Sequence, residues 1–282
     1  MNPEATSRTI VITGASDGIG AAAARTLAAA GHEVVIVGRS PEKTAAVAGE
    51  LGAPFHVTDF ADLSQVRSLA RSLQEAHPRI DVLANNAGGI MGERSLTVDG
   101  FERTFQVNHL AGFLLTQLLL PTLVCSRATV VQTASAAARL FGRFDLDDLQ
   151  NEQAYSPQKA YGNGKLENIL FTRELQRRHG ADGIAAVAFH PGIVGTNFAS
   201  DSTSLMRFIY HTPGLNRLFT TSPDQGADQL VWLAQSTPGS DWEPGAYYEK
   251  RRVTRSAAAA HDDTLAAALW EASEDMVRQS AA

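Results

Sequence analysis

The sequence predicts an α/β fold, a doubly wound parallel sheet with helices on both faces, in a single domain over residues 1–282. Short β-branched runs alternate with alanine-rich or amphipathic stretches from residue 9 onward, which is typical of repeated strand–helix units. These runs are continuously apolar, as expected for strands that helices cover on both faces. The 282 residues, 44% of them hydrophobic, are enough for one sizeable core, and no repeat or linker indicates a second domain.

Six short apolar runs are the expected strands. In chain order they are Thr9–Thr13, Glu33–Val37, Pro54–Val57, Val82–Ala84, Thr129–Gln132 and Ile184–Phe189. A helix over Gly20–Ala30 is expected to end at Gly31. A second helix, over Pro41–Leu51, is expected to begin behind Ser40, because proline favours the first helical turn.

The longest apolar stretch, Leu110–Val124, is too short to span a bilayer and contains Gly112 and Pro121. We expect it to form a helix in the core or at a subunit interface. Residues 1–8 are polar, lack the layout of a secretory signal and are expected to be flexible. The sequence therefore predicts neither a membrane span nor export.

Composition and charge narrow the class of partner. A net charge of −6 and a pI near 5.7 argue against a nucleic-acid surface, which needs clustered lysine and arginine. Small molecules are the expected partners. The single cysteine, Cys125, cannot form an intramolecular disulfide, which favours a cytoplasmic location. His190 has no second ligand at a zinc-like spacing, so we predict no metal.

The first predicted strand runs directly into a glycine-rich turn, TGASDGIG, and a helix follows at once. In this setting the turn lets the backbone approach a pyrophosphate and directs helix N–H groups at it. A phosphate-hydrolysing P-loop is disfavoured because no Gly-Lys-Ser/Thr follows. The turn therefore predicts a dinucleotide site with contacts from Gly14, Ser16, Asp17, Gly18, Ile19 and Gly20.

This turn and several later motifs resemble the short-chain dehydrogenase/reductase (SDR) family, whose members have the Rossmann fold. Asn85–Gly88 (NNAG) resembles the family segment that stabilises the sheet and lines the cofactor, and Asp59 resembles the adenine-contacting acid. His190–Thr196 (HPGIVGT) resembles the segment that closes over the nicotinamide carboxamide. The resemblance covers most of the chain and implies further cofactor contacts from Asp59, Phe60, Asn86, Ala87, Gly88, Tyr161, Lys165, Pro191, Gly192, Val194 and Thr196.

The choice of nicotinamide cofactor depends on the end of the second strand, where NAD-specific folds place an acid on the ribose hydroxyls. This chain instead has Gly38-Arg39-Ser40. A guanidinium can hold a 2′-phosphate in a bidentate grip, so NADP(H) is favoured over NAD(H). Two observations leave the alternative open. Arg39 could lie in solvent, and Asp17 occupies a position where many NADP-preferring relatives carry a basic residue.

Tyr161 and Lys165 are four residues apart in AYGNGKL, so a helix would place both on one face. A phenol with a pKa of about 10 is a poor base at neutral pH, but a nearby ammonium stabilises the phenolate. Tyr161 would therefore give a proton to the developing alkoxide in reduction and remove one in oxidation. The family resemblance implies that Ser135 binds the substrate oxygen and that Asn108 positions a water that relays protons through Lys165.

A second pair, Tyr155 and Lys159, has the same spacing. Pro157 obstructs a regular helix through that pair, whereas an amphipathic pattern continues after Tyr161 through Leu166–Leu175. We therefore assign the catalytic role to the later pair.

Within the family, Ala160–Leu175, His190–Thr196 and Gly245–Tyr248 most resemble the retinol dehydrogenase-like branch, which also acts on some polyketide ketones. This resemblance implies a lipophilic ketone or aldehyde, or the corresponding alcohol, as substrate. Residues 198–220 combine large apolar side chains with turn residues. That composition fits a mobile lid over the site and equally an ordinary packing helix.

The prediction is an NADP(H)-dependent oxidoreductase that moves a hydride between nicotinamide and a carbonyl or alcohol carbon. The alternative is a catalytically silent NADP(H)-binding sensor or scaffold, but such proteins usually lose a catalytic residue and all four candidates are present. A sugar-nucleotide epimerase or dehydratase would need a larger region after Tyr161. Family members often pair through helices that correspond to Leu110–Leu120 and Leu166–Leu175, so the sequence is compatible with a homo-oligomer as well as a monomer.

Overall fold

The computed structural model describes residues 7–192 and 222–280, and within them eight strands form one sheet. The strands are β1 (Thr9–Thr13), β2 (Glu33–Gly38), β3 (Phe55–Val57), β4 (Val82–Asn85), β5 (Thr129–Thr133), β6 (Ala185–His190), β7 (Tyr247–Glu249) and β8 (Arg252–Val253). Their order across the sheet is β3-β2-β1-β4-β5-β6-β7-β8, and all neighbours are parallel except β7 and β8. All six predicted strands are present, with ends that differ by at most one residue.

The helices flank this sheet. In chain order they are α1 (Gly18–Ala29), α2 (Pro41–Leu51), α3 (Leu63–Ala76), α4 (Arg103–Phe105), α5 (Ala111–Ser126), α6 (Ala137–Leu140), α7 (Pro157–His179), α8 (Pro223–Gln235) and α9 (Asp263–Gln279). A π-helical turn, Gln106–Leu110, joins α4 to α5.

Both faces of the sheet are buried, as β1 illustrates. Successive strand side chains point to opposite faces. Val11 belongs to a cluster with residues of α3, α5, α7 and α9, whereas Ile10 and Ile12 belong to a second cluster with residues of α1, α2 and α8. The predicted doubly wound α/β fold in a single domain is therefore confirmed.

Two helix starts are fixed by side-chain caps, which also explain where prediction and structure differ. Asp17 accepts from the Gly18 amide at 2.8 Å, so α1 begins at Gly18 rather than at Gly20. Ser156 accepts from the Lys159 amide at 3.1 Å and Pro157 takes the first helical position, so α7 begins well before Leu166.

An aromatic cluster anchors α7 to its neighbours. The Trp270 ring of α9 lies 5.2 Å from Phe113 of α5 and 5.6 Å from Phe171 of α7, measured between ring centroids. Such pairs stabilise by about 1 kcal/mol each beyond the apolar area that they bury. The cluster therefore holds α7, the helix with the predicted catalytic pair, firmly against the domain.

One helical stretch in the described part of the chain, Arg103–Ser126, is long and apolar enough to cross a bilayer by length and composition. It is longer than the apolar run Leu110–Val124 because α4 and the π-helical turn precede α5 without a break. In its most apolar window 56% is buried within the protein, and a core helix meets the same length criterion.

Candidate active site

The strand order changes direction between β1 and β4, which creates a crevice at the carboxyl ends of the strands, where folds of this kind bind ligands. Asn86 ties this edge together. Its amide Nδ2 donates to the Thr13 carbonyl at 3.0 Å, and its Oδ1 accepts from Thr133 Oγ1 at 3.1 Å. Thr13 Oγ1 in turn accepts from the Asn86 and Ala87 amides. The ends of β1, β4 and β5 are thereby held in a fixed arrangement.

The glycine-rich turn fits closely against this arrangement. Gly14 has a φ of +66°, and a Cβ there would lie 2.8 Å from the Ala87 Cα, so only glycine suits the position. Gly18 also has a positive φ, of +55°. The first turn of α1 contains no acidic residue, so its N-terminus can accept the pyrophosphate of a dinucleotide. The residues present therefore fit such a cofactor.

Tyr161 and Lys165 lie next to each other on α7. Lys165 Nζ is 5.5 Å from the Tyr161 ring centroid and donates to the Thr133 carbonyl at 3.0 Å. Lys165 is only 1% exposed, and this burial lowers the pKa of its ammonium from 10.5 to about 7. A proton on Lys165 can therefore be held or lost near neutral pH, which suits a group that passes protons to a neighbour.

Asn108 lies beside this pair, in the π-helical turn. Its Oδ1 accepts from the Gly89 amide at 3.0 Å, and its Nδ2 donates to the Gly89 and Thr104 carbonyls, both at 2.9 Å. A Cβ on Gly88 would lie 3.1 Å from Lys165 Nζ and would collide with Asn108 Oδ1. Gly88 thus lets the lysine and the asparagine approach each other. Single π-helical turns of this kind often occur at functional sites.

Ser135 lies two residues after the end of β5. Its Oγ accepts from the Ala137 amide at 3.2 Å, and Ala137 packs against Tyr161 and Ile90 in a small apolar cluster. Met91 beside Ile90 is also buried, and Leu140 and Phe141, just beyond Ala137, are exposed apolar residues. Tyr161 therefore packs against apolar side chains, and exposed apolar residues follow Ala137 in the chain.

The competing pair is placed differently. Tyr155 precedes α7, and its hydroxyl donates to the Gly92 carbonyl at 3.0 Å. Lys159 Nζ donates to the Gln153 carbonyl at 2.8 Å and lies 3.5 Å from an Asp148 carboxylate oxygen. Each residue thus holds a loop segment.

Comparison with known proteins identifies the family. Residues 8–206 match the model of the short chain dehydrogenase family, which is more than half of the chain. The chain belongs to the short-chain dehydrogenase/reductase family. An SDR is a hydride-transferring oxidoreductase with a nicotinamide cofactor, so the coarse function expected from the sequence is confirmed.

Two curated relatives of this SDR place it in the retinol dehydrogenase and ketoreductase branch. DnrU of Streptomyces sp. (strain C5), to which daunorubicin C-13 ketoreductase activity is attributed, is 42% identical over 281 residues, which cover 97% of this chain and 94% of DnrU. Retinol dehydrogenase 14 of Mus musculus is 36% identical over 295 residues, which cover 96% and 86% of the two chains. The predicted resemblance to this branch is confirmed.

A solved structure shares the fold at lower identity. The RhlG/NADP active-site complex of Pseudomonas aeruginosa has a TM-score of 0.67 and is 28% identical, with 88% of this SDR and 96% of that chain covered. The NADP in this neighbouring structure agrees with a nicotinamide cofactor for the family.

Near the end of β2, the structure contains an ion pair that sequence analysis did not predict. Lys43, in the first turn of α2, lies 2.8 Å from an Asp17 carboxylate oxygen. Ser40 caps α2 by accepting from the Lys43 amide, and its hydroxyl donates to Glu42 at 3.1 Å. The predicted contacts Arg39, Ser40 and Asp17 are therefore joined by a fourth candidate, Lys43. The sequence feature that could have indicated Lys43 is its position three residues after Ser40, the N-cap of α2.

Four other predicted cofactor residues lie elsewhere in the site or in the core. Asp59 Oδ1 accepts from the Ala61 amide at 3.0 Å, and the Phe60 side chain is buried in the core. Pro191 and Gly192 follow β6, where Gly192 has a φ of +88°. Val194, Thr196 and the expected lid over residues 198–220 lie outside the described residues.

Two further polar residues of α7 support the site without having been predicted. Asn168 Nδ2 donates at 3.3 Å to the Thr133 carbonyl that Lys165 also contacts. Asn163 accepts from the Arg143 amide at 2.6 Å and donates to Asn151 Oδ1 at 2.8 Å, which fixes the loop after α6. Sequence spacing gives no sign of either contact, because each partner is at least twelve residues away.

Glu167, two residues after Lys165, is a buried carboxyl. It is 1% exposed, and its Oε2 has no hydrogen-bond partner among the described residues. Burial, with a further contribution from the buried Glu102, raises the pKa of Glu167 well above its ordinary value. Glu102 itself accepts from the Thr104 and Phe105 amides and so caps α4. Burial therefore favours the protonated, neutral form of the Glu167 carboxyl.

No group of three histidine, cysteine, aspartate or glutamate side chains able to hold a metal ion occurs in residues 7–192 and 222–280. His190, at the end of β6, is buried, and this burial lowers the pKa of its imidazole. Its surroundings in the sheet agree with the structural role expected from the sequence.

Proposed function

We propose that this SDR is an NADP(H)-dependent reductase of lipophilic ketones or aldehydes. The observation that carries the proposal is the position of the Tyr161–Lys165 pair, where the Tyr161 ring packs against the apolar side chains of Ile90 and Ala137. A polar reactive pair next to apolar surface is suited to a carbonyl on a hydrophobic skeleton. The named relatives, a daunorubicin ketoreductase and a retinol dehydrogenase, support the same substrate class.

The chemistry divides between the cofactor and the side chains. When bound, the nicotinamide ring supplies the hydride to the carbonyl carbon. The Tyr161 hydroxyl donates its proton to the carbonyl oxygen, which would otherwise develop a full negative charge. Because the Ala137 amide donates to Ser135 Oγ, the hydroxyl hydrogen of Ser135 is directed away from that amide and can stabilise the same oxygen. Lys165, whose pKa of about 7 allows it to lose a proton, resupplies Tyr161.

Cofactor preference follows from charge. Gly38-Arg39-Ser40 brings a guanidinium to the end of β2, and no carboxylate occupies these three positions. Arginine is the side chain best suited to bidentate binding of phosphate. The NADP complex of the RhlG neighbour supports NADP(H) for this chain as well.

The test combines binding with turnover. NADPH and NADH are titrated against the protein by fluorescence, and oxidation of NADPH is then followed with aliphatic, aromatic and polycyclic ketones and aldehydes. We expect turnover with the larger apolar carbonyls and its loss in Tyr161→Phe. Tight NADPH binding without turnover of any carbonyl, or of the corresponding alcohols with NADP⁺, would refute the reductase and favour a silent cofactor-binding protein.

A further inference from the structure

A buried hydrogen bond joins the C-terminal helix α9 to the π-helical turn of the candidate active site. His109 Nε2 in the turn and Ser273 Oγ of α9 are 2.9 Å apart. His109 is 2% exposed, and Ser273 is fully buried. Burial lowers the pKa of the His109 imidazole from 6.5 to about 3, so the ring is neutral at physiological pH. The contact is therefore a hydrogen bond between two neutral groups and not an ion pair.

The surroundings of this hydrogen bond are apolar. The His109 ring lies 5.6 Å from Phe105, 6.1 Å from Phe113 and 6.3 Å from Phe171, measured between ring centroids. A polar group is costly to bury unless it is hydrogen-bonded, so the position of His109 depends on its partner Ser273. Contact with the three phenyl rings holds the imidazole in place, whereas the hydrogen bond is directional and fixes how the imidazole is turned.

The π-helical turn is anchored by side chains on two sides. Such turns are rare interruptions of α-helices and depend on their surroundings to persist. Asn108 anchors one side through its bonds with Gly89, and His109, the next residue, anchors the other side through Ser273. Because Asn108 and His109 are consecutive, a rotation of the turn moves both side chains together. The orientation of Asn108 is therefore linked to α9.

Asn108 has little room to move without disturbing the site. A Cβ on Gly88 would collide with Asn108 Oδ1 and would lie 3.1 Å from Lys165 Nζ. A Cβ on Gly164 of α7 would lie 3.0 Å from the Asn108 Cβ. The asparagine is therefore packed between Gly88 and α7, and a small rotation of the turn would change its position relative to Lys165.

From these contacts we infer that Ser273 and His109 are positioning residues for the reaction. Their hydrogen bond fixes the π-helical turn, and the turn holds the Asn108 side chain beside Lys165. Both residues act through Asn108 and not on the substrate. The inference rests on the proposed function, in which Lys165 resupplies the catalytic proton, and it extends the working parts of the site to the C-terminal helix.

The chain offers a matched control in Ser126. Its Oγ accepts from the Ile80 amide at 3.1 Å, much as Asn108 Oδ1 accepts from the Gly89 amide at 3.0 Å. Ser126 is the last residue of α5, whereas the π-helical turn directly precedes the first. Ser126→Ala and Ser273→Ala therefore remove the same hydroxyl group and a hydrogen bond of similar length, but only the second substitution alters the contact with the turn.

Amide hydrogen exchange, measured by NMR on the full-length protein, reports the position of Asn108 without any substrate. Ser273→Ala should speed exchange of the Gly89 amide by about tenfold and leave the Ile80 amide within about twofold of wild type. Ser126→Ala should do the reverse. Equal acceleration of both amides in Ser273→Ala would show general destabilisation only, and an unchanged Gly89 amide would show no link to Asn108. Either result would overturn the inference.

Turnover with the best carbonyl of the panel tests the catalytic consequence. Ser273→Ala should lower kcat by about fivefold to tenfold and leave the NADPH dissociation constant within about twofold, because the hydroxyl affects geometry at the reacting end of the site. Ser126→Ala should change neither quantity. In an Asn108→Ala background, Ser273→Ala should lower kcat no further, since both residues act through one position. A wild-type kcat in Ser273→Ala, or the same further loss in the Asn108→Ala background, would overturn the inference.

The two measurements separate this inference from the proposed function. If no carbonyl or alcohol is turned over but the Gly89 amide exchanges as expected, the proposed reductase is wrong and the link between α9 and Asn108 stands. If Tyr161→Phe abolishes turnover but Ser273→Ala leaves both kcat and the exchange of the Gly89 amide unchanged, the reductase stands and the role of Ser273 is overturned.

Discussion

Lys165 and Lys43 are held in opposite surroundings. Lys165 is 1% exposed, contacts a main-chain carbonyl and has its pKa lowered to about 7. The Lys43 side chain is 55% exposed and faces a carboxylate. Burial makes the first lysine a group that can exchange its proton, whereas the second lies in water beside its acidic partner. The reactivity of Lys165 therefore depends on desolvation, and Lys43 instead forms an exposed ion pair.

This contrast predicts that substitutions at the buried lysine have the larger effects. Lys165→Met removes the proton source of Tyr161 and should lower kcat/KM by about two to four orders of magnitude, the range for general acid–base groups. The matched control is Lys159→Met, because Lys159 also stands four residues after a tyrosine but holds a loop instead. Its kcat/KM should stay within about tenfold of wild type. Similar losses in both variants would contradict the assignment of the catalytic pair.

Two buried groups on α7 should give pH dependences of stability with opposite signs. The folded-state pKa of Lys165 is lowered, so between pH about 7 and 10.5 the unfolded chain binds more protons, and wild type should gain stability relative to Lys165→Met as pH rises. The folded-state pKa of Glu167 is raised, so above its ordinary value of 4.5 the folded chain binds more protons. Wild type should lose stability relative to Glu167→Gln as pH rises.

Urea unfolding of the three proteins from about pH 5 to about pH 10 measures both slopes. Glutamine is isosteric with the protonated glutamate, so the stability of Glu167→Gln should be closest to that of wild type at the lowest pH of this series. Parallel pH dependences for all three proteins would show that neither group is titrated as its burial requires.

A smaller effect is expected from the packing of α7 against the loop after α6. A Cβ at Gly162 would lie 2.7 Å from the Gly142 amide nitrogen and 2.8 Å from the Phe141 carbonyl carbon, both main-chain atoms that cannot yield easily. Gly162→Ala should therefore destabilise the fold by about 1–3 kcal/mol. Gly49 of α2 has nothing within 4 Å of such a Cβ, so Gly49→Ala should be neutral or stabilising by up to about 1 kcal/mol. The melting temperature should fall in Gly162→Ala and stay the same or rise in Gly49→Ala; a similar fall in both variants would refute the steric argument.

The fold was largely predictable because its signals are local. Each of the six predicted strands is a continuous apolar run, and the capping residues Ser40 and Asp17 stand directly before their helices. β7 and β8 were not predicted because neither short segment is a run of aliphatic residues: β7 is Tyr-Tyr-Glu and β8 is Arg-Val. β7 pairs with the edge of β6, and β8 pairs with β7.

The sequence predicts the site as a set of residues but does not predict its geometry. Spacing and helix geometry placed Tyr161 beside Lys165, and Pro157 excluded the earlier pair, which the structure also separates. The contact between Lys165 and the Thr133 carbonyl joins residues 32 apart, and the Asp17–Lys43 pair joins residues 26 apart. Such contacts depend on the order of strands in the sheet, which cannot be read from a single sequence.

The central claim, hydride transfer assisted by Tyr161, is tested most directly by following the hydride itself. NADPH with deuterium at nicotinamide C4, in each of its two stereochemical forms, is incubated with the protein and the best carbonyl found in the panel, and the alcohol product is analysed by mass spectrometry. We predict one deuterium on the carbinol carbon from one of the two forms, with the rate of incorporation lowered by orders of magnitude in Tyr161→Phe. Product without deuterium from either form, or undiminished transfer in Tyr161→Phe, would contradict the account.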